Sequence, residues 1–195
     1  IPAAAARRFA QLKGEKTPAI LLAVFGNRDY DDALLEMQDL ALAAGFVPFA
    51  AAALVAEHSL MPGVAAGRPD ARDKQQIVEF AKASWQQLQQ ACGPEALCIP
   101  AVQGNRPYRD YPAIPFKPTA LRACVKCGAC AAHCPQGAIS AADPTRTDAS
   151  RCICCMRCVA VCPHQARGIN KLLLAVAGKA FSLKYGKRKE PEFFS

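Results

Sequence analysis

Residues 124–163 decide the fold of the second half of this chain, and they read CVKCGACAAHCPQGAISAADPTRTDASRCICCMRCVAVCP. The pattern Cys-x2-Cys-x2-Cys-x3-Cys-Pro occurs twice in this stretch, beginning at Cys124 and again 28 residues later at Cys152. Each copy also has an alanine four residues after its last cysteine, at Ala138 and Ala166. Nine of the 11 cysteines of the chain fall within the stretch, so the cysteines form a tandem repeat.

The spacing within each copy is typical of iron–sulfur ligation, because three cysteines two residues apart can wrap one face of a cubane. A fourth cysteine followed by proline turns away and reaches the other cluster, so the repeat predicts two [4Fe-4S] clusters. Cluster I is predicted at Cys124, Cys127, Cys130 and Cys162, and cluster II at Cys152, Cys155, Cys158 and Cys134. Zinc is the alternative, since it also binds four cysteines, but it does not require a repeated run of three with a proline-terminated fourth.

One cysteine and two histidines of the repeat are not predicted as ligands. Cys154 lies between ligand positions and out of register, so we expect an additional buried thiol there, with replacement of Cys152 or Cys155 as the alternative. His133 and His164 are expected at the surface or in packing contacts. Histidine ligands of Rieske centres take the place of cysteines, and no cysteine is missing from either copy.

The composition favours a globular protein of the cytoplasm. With 195 residues, 52% of them hydrophobic and 21% charged, the chain can bury a core and form one domain or two small ones. Its longest uncharged stretch, residues 40–56, contains Gly45 and Pro48, so no stable membrane insertion is predicted. The N-terminus lacks the apolar segment of a signal peptide. A dense cysteine block in such a chain indicates metal chemistry in a reducing compartment.

The formal net charge of +8 would favour anionic partners. Eight cluster thiolates and two Fe–S cores of about +2 each would lower it to about +4, which weakens that inference. Residues 168–189 contain no acid, and their cations are Lys171, Lys179, Lys184, Lys187, Arg188 and Lys189. These lysines do not share one helical face and aromatics are few, so we predict a solvated docking surface and no nucleic-acid binding.

The first half of the chain has the pattern of a β-α-β-α unit. Residues 19–26 form a short apolar run of the kind found in buried parallel strands. Residues 46–51 predict a second strand, in which Pro48 favours a ragged or edge position. Asp70 is placed to start a long helix that runs to about Gln90. This order predicts half of a doubly wound parallel sheet.

Both halves resemble known families. The repeat resembles the bacterial two-cluster ferredoxins, and residues 25–34, FGNRDYDDAL, are similar to the fourth strand, flavin-side loop and following helix of a flavodoxin. Further similar segments are residues 50–53, 57–59, 66–70, 166–167 and 188–194. Nearly the whole chain therefore resembles the EFR-type ferredoxins of anaerobic bacteria, in which a flavodoxin-like domain is fused to a two-cluster ferredoxin.

This resemblance implies a fold, a second cofactor and its ring-side residues. It implies a partial flavodoxin-like doubly wound parallel sheet (α/β) followed by a bacterial 2[4Fe-4S] ferredoxin-like domain (α+β). Gly26, Asn27 and Tyr30 would lie against the flavin ring of FMN; an ordinary strand-to-helix turn is the alternative. The loop that cradles the FMN phosphate is missing before Ile20, so FMN is expected only in a longer protein. The unpaired first strand should leave an exposed edge and apolar face.

These observations predict an electron-transfer protein. Four regions are expected: a partial flavodoxin-like domain (1–92), a proline-rich linker (93–123), a ferredoxin domain (124–167) and a basic C-terminal tail (168–195). Its partners would be redox proteins, and single electrons would pass through two low-potential clusters. The sequence has no catalytic triad, paired carboxylates or P-loop, so we do not predict an independent enzyme. The alternative is an iron–sulfur flavoprotein reductase that acts on an organic acceptor.

Overall fold

The computed structural model describes residues 1–61, 63–110, 114 and 116–195, and it divides into two compact units. Unit 1 comprises Ile1–His58, Gly63–Tyr111 and Tyr185–Ser195, and unit 2 comprises Ser59–Pro62 and Pro112–Lys184. The helices are α1 (Ala3–Phe9), α2 (Ala33–Ala43), α3 (Ala71–Gln90), α4 (Ala129–Ala132), α5 (Arg157–Ala160) and α6 (Lys171–Tyr185). The strands are β1 (Thr17–Phe25), β2 (Phe46–Val55), β3 (Thr119–Ala120), β4 (Arg167–Gly168) and β5 (Glu192–Phe194).

The predicted β-α-β-α order is confirmed in unit 1, where β1 and β2 pair in parallel and α2 connects them. Strand β2 lies between β1 and β5, but β5 pairs only with residues 51–53, so Pro48 lies outside that pairing. The ragged part is confirmed, because the register shifts between Ala19 and Ile20, next to the pairing of Ala19 with Pro48. Proline has no N–H to donate, and an irregular register accommodates that gap.

The core of unit 1 forms on both faces of this sheet. On one face, the alternate residues Leu21, Ala23 and Phe25 of β1 belong to the same buried cluster as Leu34 and Ala41 of α2. On the other face, Phe49 and Ala50 of β2 pack with Leu97 and with the α3 side chains Phe80 and Leu88. Helices α2 and α3 therefore pack on opposite faces of the sheet.

The first strand has the exposed edge and face that the sequence predicts. Strand β1 ends the described sheet, whose order is β1-β2-β5. The side chains of Ile20, Leu22 and Val24 alternate with its buried ones and are exposed. An unpaired strand edge with an exposed apolar face favours association with another polypeptide segment.

The C-terminal segment, residues 185–195, is part of unit 1. Strand β5 pairs antiparallel with β2, the ring of Phe193 lies 5.0 Å from that of Phe80, and Phe194 packs on the apolar cluster under α2. The sequence predicts these residues as the end of a solvated basic tail. Their aromatic side chains instead gain burial by adding a strand, which gives the sheet one antiparallel member.

The proline-rich segment also divides between the units. Its first part packs on α2: Gln38 donates to the carbonyl of Pro100 at 2.9 Å, and the backbone N–H of Asn105 donates to Asp32 at 2.7 Å. Gly104 has φ +149, and a Cβ there would lie 2.7 Å from the Cβ of Leu35, so glycine permits this close approach. The boundaries at 93 and 168 drawn from composition therefore differ from those of the structure.

A buried ion pair lies where α3 begins. As predicted, Asp70 caps this helix, in a reciprocal capping box with Asp73. Asp73 is fully buried and Arg68 is 8% exposed, and the guanidinium donates to both carboxylate oxygens. Hydrogen bonds from Arg68 hold the pKa of Asp73 below its usual range. Arg188 of the C-terminal segment donates to Asp70 at 2.6 Å and to Asp73 at 3.2 Å, so the ion pair also holds that segment.

No helix in the described part of the chain combines the length and apolar character needed to cross a membrane.

We predict that Asp73→Asn destabilises unit 1 by about 3–5 kcal/mol, because it removes the buried carboxylate that forms the closest ion pair with the buried Arg68. The measurement is urea unfolding followed by the fluorescence of Trp85, the single tryptophan, which lies in α3. Lys16→Gln is the matched control, since Lys16 and Glu95 form an exposed pair that should matter little. Equal unfolding curves for Asp73→Asn and the wild type would contradict a stabilising role of this pair.

Candidate metal centre

The backbone of unit 2 repeats with the same period as its cysteines. Helix α4 begins after Gly128 and α5 begins after Met156, and both of these residues adopt left-handed conformations. Two further pairs of positive-φ residues are also 28 positions apart. The three pairs are Lys126 with Cys154, Gly128 with Met156, and Gly137 with Gln165. The two copies of the motif therefore share one backbone conformation as well as one spacing.

Each copy begins beside the end of the other copy. Strand β3, ahead of the first copy, pairs antiparallel with β4, which follows the second, with Ala120 opposite Arg167. An isolated antiparallel bridge joins Ile139, which follows the first copy, to Thr147, which precedes the second. Thr147 and Ile139 lie 28 positions from Thr119 and Arg167, so the two pairings join corresponding segments of the repeat, with registers that differ by one residue. The copies are thus interlocked at both ends.

The cysteines of the two copies have matching environments. The third cysteine of each copy is buried, with 6% of Cys130 and 8% of Cys158 exposed, whereas the second cysteine of each is exposed. The sulfurs of the last cysteines, Cys134 and Cys162, each accept the N–H of the alanine four residues later at 3.2 Å. The alanines noted in the sequence thus supply hydrogen bonds to sulfur, which stabilise thiolate character.

Four cysteines from both copies line one cavity. The wall of this cavity includes Cys134 of the first copy and Cys152, Cys155 and Cys158 of the second copy, together with Ile139 and other side chains. Within the described ranges, no three His, Cys, Asp or Glu side chains converge as a single metal ion would require. The chemistry of this donor set, four cysteines around one cavity, fits a cluster with four cysteine ligands.

A buried arginine lies among the inner cysteines. Arg167 is 3% exposed, and its Nη1 donates to the carbonyl of Pro144 at 2.6 Å and lies 3.6 Å from the sulfur of Cys130. Burial raises the pKa of the Cys158 thiol, and the charge of Arg167 opposes that rise. The sequence analysis did not identify Arg167. An alignment of the two copies could have identified it, because Arg167 lies 28 positions after Ile139 and is the charged counterpart of that isoleucine.

The non-ligand predictions for the repeat agree with the structure where it describes them. Cys154 is buried, and its thiol donates to the carbonyl of Phe116 at 2.8 Å. Burial, and then the neighbouring Cys152, raise the pKa of this thiol, which disfavours the thiolate that a metal needs. His133 and His164 are exposed.

Comparison with known proteins supports the same region. Residues 123–166 match the family described as the 4Fe-4S dicluster domain. No curated protein and no solved structure is significantly similar to the chain. Unit 2 thus contains an iron–sulfur, ferredoxin-like 4Fe-4S region, and a role in electron transfer follows from that class of domain.

The residues implied as the flavin ring side contact the C-terminal segment instead. Asn27 is 1% exposed; its amide donates to the carbonyls of Tyr185 and Lys187, and its oxygen accepts the N–H of Lys189. The hydroxyl of Tyr30 donates to Glu192 at 2.8 Å. Burial and this bond raise the pKa of Tyr30.

Gly26 and the cavity beside Tyr30 also lack the features of a flavin site. Gly26 packs on His58, whose ring would lie 2.8 Å from a Cβ at that position. A cavity beside Tyr30 is lined by the carboxylates Asp29, Asp31, Asp32 and Glu192, with Arg109 and Lys189 as its cations. The polar groups of Asn27 and Tyr30 are already hydrogen-bonded within the chain, so they are not available to an FMN ring. The mainly acidic cavity would repel the negatively charged FMN phosphate.

We predict that the chain does not retain FMN. A micromolar site needs about 8 kcal/mol of binding free energy, and stacking on Tyr30 would supply only ~1–2 kcal/mol. The measurement is a flavin-fluorescence titration against the cluster-loaded chain, with Tyr30→Ala as the control for nonspecific quenching. Saturable binding at one FMN per chain with micromolar affinity, lost in Tyr30→Ala, would contradict this prediction.

Proposed function

We propose that this protein is a one-electron carrier that holds two [4Fe-4S] clusters in unit 2 and exchanges electrons with redox partner proteins. The observation that carries the proposal is the agreement of the two copies in spacing, backbone conformation, cysteine burial and N–H bonds to sulfur. A site that had to bind only one cluster would not require both copies to keep all four features. A bound cluster supplies the chemistry, which is reversible storage of a single electron.

The interlocked copies support the crossed assignment of ligands. Because each copy ends beside the start of the other, we expect its last cysteine to lie near the first three cysteines of its neighbour. The cavity lined by Cys134, Cys152, Cys155 and Cys158 has the composition expected for cluster II. By the equivalence of the copies, we assign cluster I to Cys124, Cys127, Cys130 and Cys162.

The residues around the cysteines have roles that suit an electron carrier. Backbone N–H groups donate to the sulfurs of Cys134 and Cys162, and this stabilises negative charge on the ligands. Ile139 packs against the buried Cys130 and Cys158 and excludes water from the inner side. Cys127 and Cys155 are exposed, so a partner protein would approach each site at its second cysteine.

We also propose that unit 1 is a flavodoxin-like part of a protein of the EFR type. The parallel β1–α2–β2 arrangement with helices on both faces supports it. A flavin would act only in a longer protein and with the C-terminal segment displaced from Asn27 and Tyr30. No observation favours the alternative of a substrate-reducing flavoenzyme.

We predict about eight iron and eight acid-labile sulfide per chain after anaerobic reconstitution, because each of two four-cysteine sets would bind one cubane. Iron and sulfide analysis and the EPR spectrum of the dithionite-reduced protein are the measurements. Cys154→Ser is the matched control, since its thiol bonds to a backbone carbonyl, and it should give the same counts. Four iron per chain, or stoichiometric zinc, would refute the two-cluster proposal.

We predict that the last cysteine of each copy belongs to the cluster of the other copy. Cys134→Ser should then alter the same EPR signal as Cys155→Ser, and Cys162→Ser the same signal as Cys127→Ser. Serine is used because it keeps the size of the side chain while weakening the bond to iron. If Cys134→Ser and Cys127→Ser affect one common signal, each copy holds its own cluster and the crossed assignment is wrong.

A further inference from the structure

The two copies differ in charge at one buried position. Arg167 and Ile139 occupy equivalent places, 28 residues apart, on the two antiparallel pairings that interlock the copies. Both side chains are buried. An isoleucine needs no polar partner there, whereas an arginine brings a permanent positive charge, because its guanidinium does not deprotonate in proteins. The two copies thus have similar backbones, but only the second copy has a charged residue at this buried position.

The contacts of Arg167 leave this charge without a carboxylate. Its Nη1 donates to the carbonyl of Pro144, and its Nη2 lies 3.3 Å from the carbonyl of Pro118 and also donates to the hydroxyl of Thr147. None of the ion pairs among the described residues includes Arg167, and its buried Nε has no hydrogen-bond partner among them. A buried cation surrounded by neutral groups is costly unless an anion lies near.

The inner cysteines lie beside this charge. Arg167 Nη1 lies 3.6 Å from the sulfur of Cys130, and Cys130 belongs to the same buried group as Cys158. These two cysteines and Ile139 form one buried group in the centre of unit 2. Under the crossed assignment, Cys130 binds cluster I and Cys158 binds cluster II, so the guanidinium lies beside a ligand of cluster I that packs with a ligand of cluster II.

We propose that Arg167 is a positioning residue for electron transfer: a counter-charge shared by the two clusters, which raises the reduction potential of both. The proposal rests on the two-cluster function proposed above. Reduction adds one electron to a cluster, supplied by a low-potential one-electron donor, and it breaks no bond and takes up no proton. A fixed positive charge at the ligands favours the more negative, reduced state of each cluster.

The test compares the potentials of the loaded wild type with those of three variants at the buried position. Arg167→Gln removes the charge and keeps a polar group, Arg167→Ile installs the residue of the other copy, and Arg167→Lys keeps the charge. Arg146→Gln is the matched control, since Arg146 is exposed and solvent screens its charge. EPR-monitored redox titration with dithionite gives the potentials of both clusters, and iron and sulfide analysis gives their number.

We expect both potentials to fall in Arg167→Gln and in Arg167→Ile. At a fixed applied potential the ratio of reduced to oxidised cluster should drop by about tenfold, which is about 59 mV for a one-electron couple. Arg167→Lys should recover most of the difference, and Arg146→Gln should match the wild type. These shifts should not depend on pH between about 6 and 9, because arginine keeps its charge throughout that range.

Three results would overturn the proposal. Unchanged potentials in a variant with full iron and sulfide would show that the charge does not act on the clusters. A shift of one cluster alone would show that the charge is not shared. Loss of cluster assembly in both neutral variants, with recovery in Arg167→Lys, would assign the guanidinium a structural role instead. Four iron per chain in the wild type would refute the two-cluster function itself, and the iron count therefore distinguishes that failure from a failure of the proposal for Arg167.

Discussion

The mutual pairing of the two cysteine copies is the constraint on which unit 2 depends. Each copy has only a short helix of its own, so neither can bury its inner cysteine alone. The β3–β4 pairing and the bridge between Ile139 and Thr147 join the start of each copy to the end of the other. That arrangement brings Cys130 and Cys158 into one buried group. Small domains often need such a staple, and a metal cluster with ligands from both copies would complete it.

Unit 1 depends on a comparable contact with the end of the chain. Asn27, almost fully buried, uses both ends of its amide to hold backbone groups of the C-terminal segment, and Arg68 donates to the carbonyl of Lys189. A buried amide is stable only when such bonds satisfy it. In the chain, residues on either side of 112–184 belong to unit 1.

Under the proposed role of Arg167, function opposes stability at this buried position. An uncharged side chain at the same place, such as Ile139 in the other copy, would avoid the desolvation of a guanidinium. The arginine is compatible with the fold because carbonyls and a hydroxyl accept its bonds and because the sulfur of Cys130 lies 3.6 Å from it. Burial then makes the charge effective, since low local polarity strengthens its action on nearby sulfur. An exposed arginine would avoid the desolvation cost, but solvent would screen its charge from the sulfur atoms.

The sequence by itself determined the features that rest on local pattern or exact spacing. These include the tandem cysteine motif, the capping of α3 by Asp70, the parallel pair β1 and β2, and the burial of Cys154. Only the tertiary structure decided the antiparallel strand β5 and the partners of Asn27, because the residues in contact are about 140 to 160 positions apart. The same holds for Arg167, whose burial arises from pairing between the copies. Local pattern records propensity and periodicity, whereas such long-range contacts depend on how the whole chain packs.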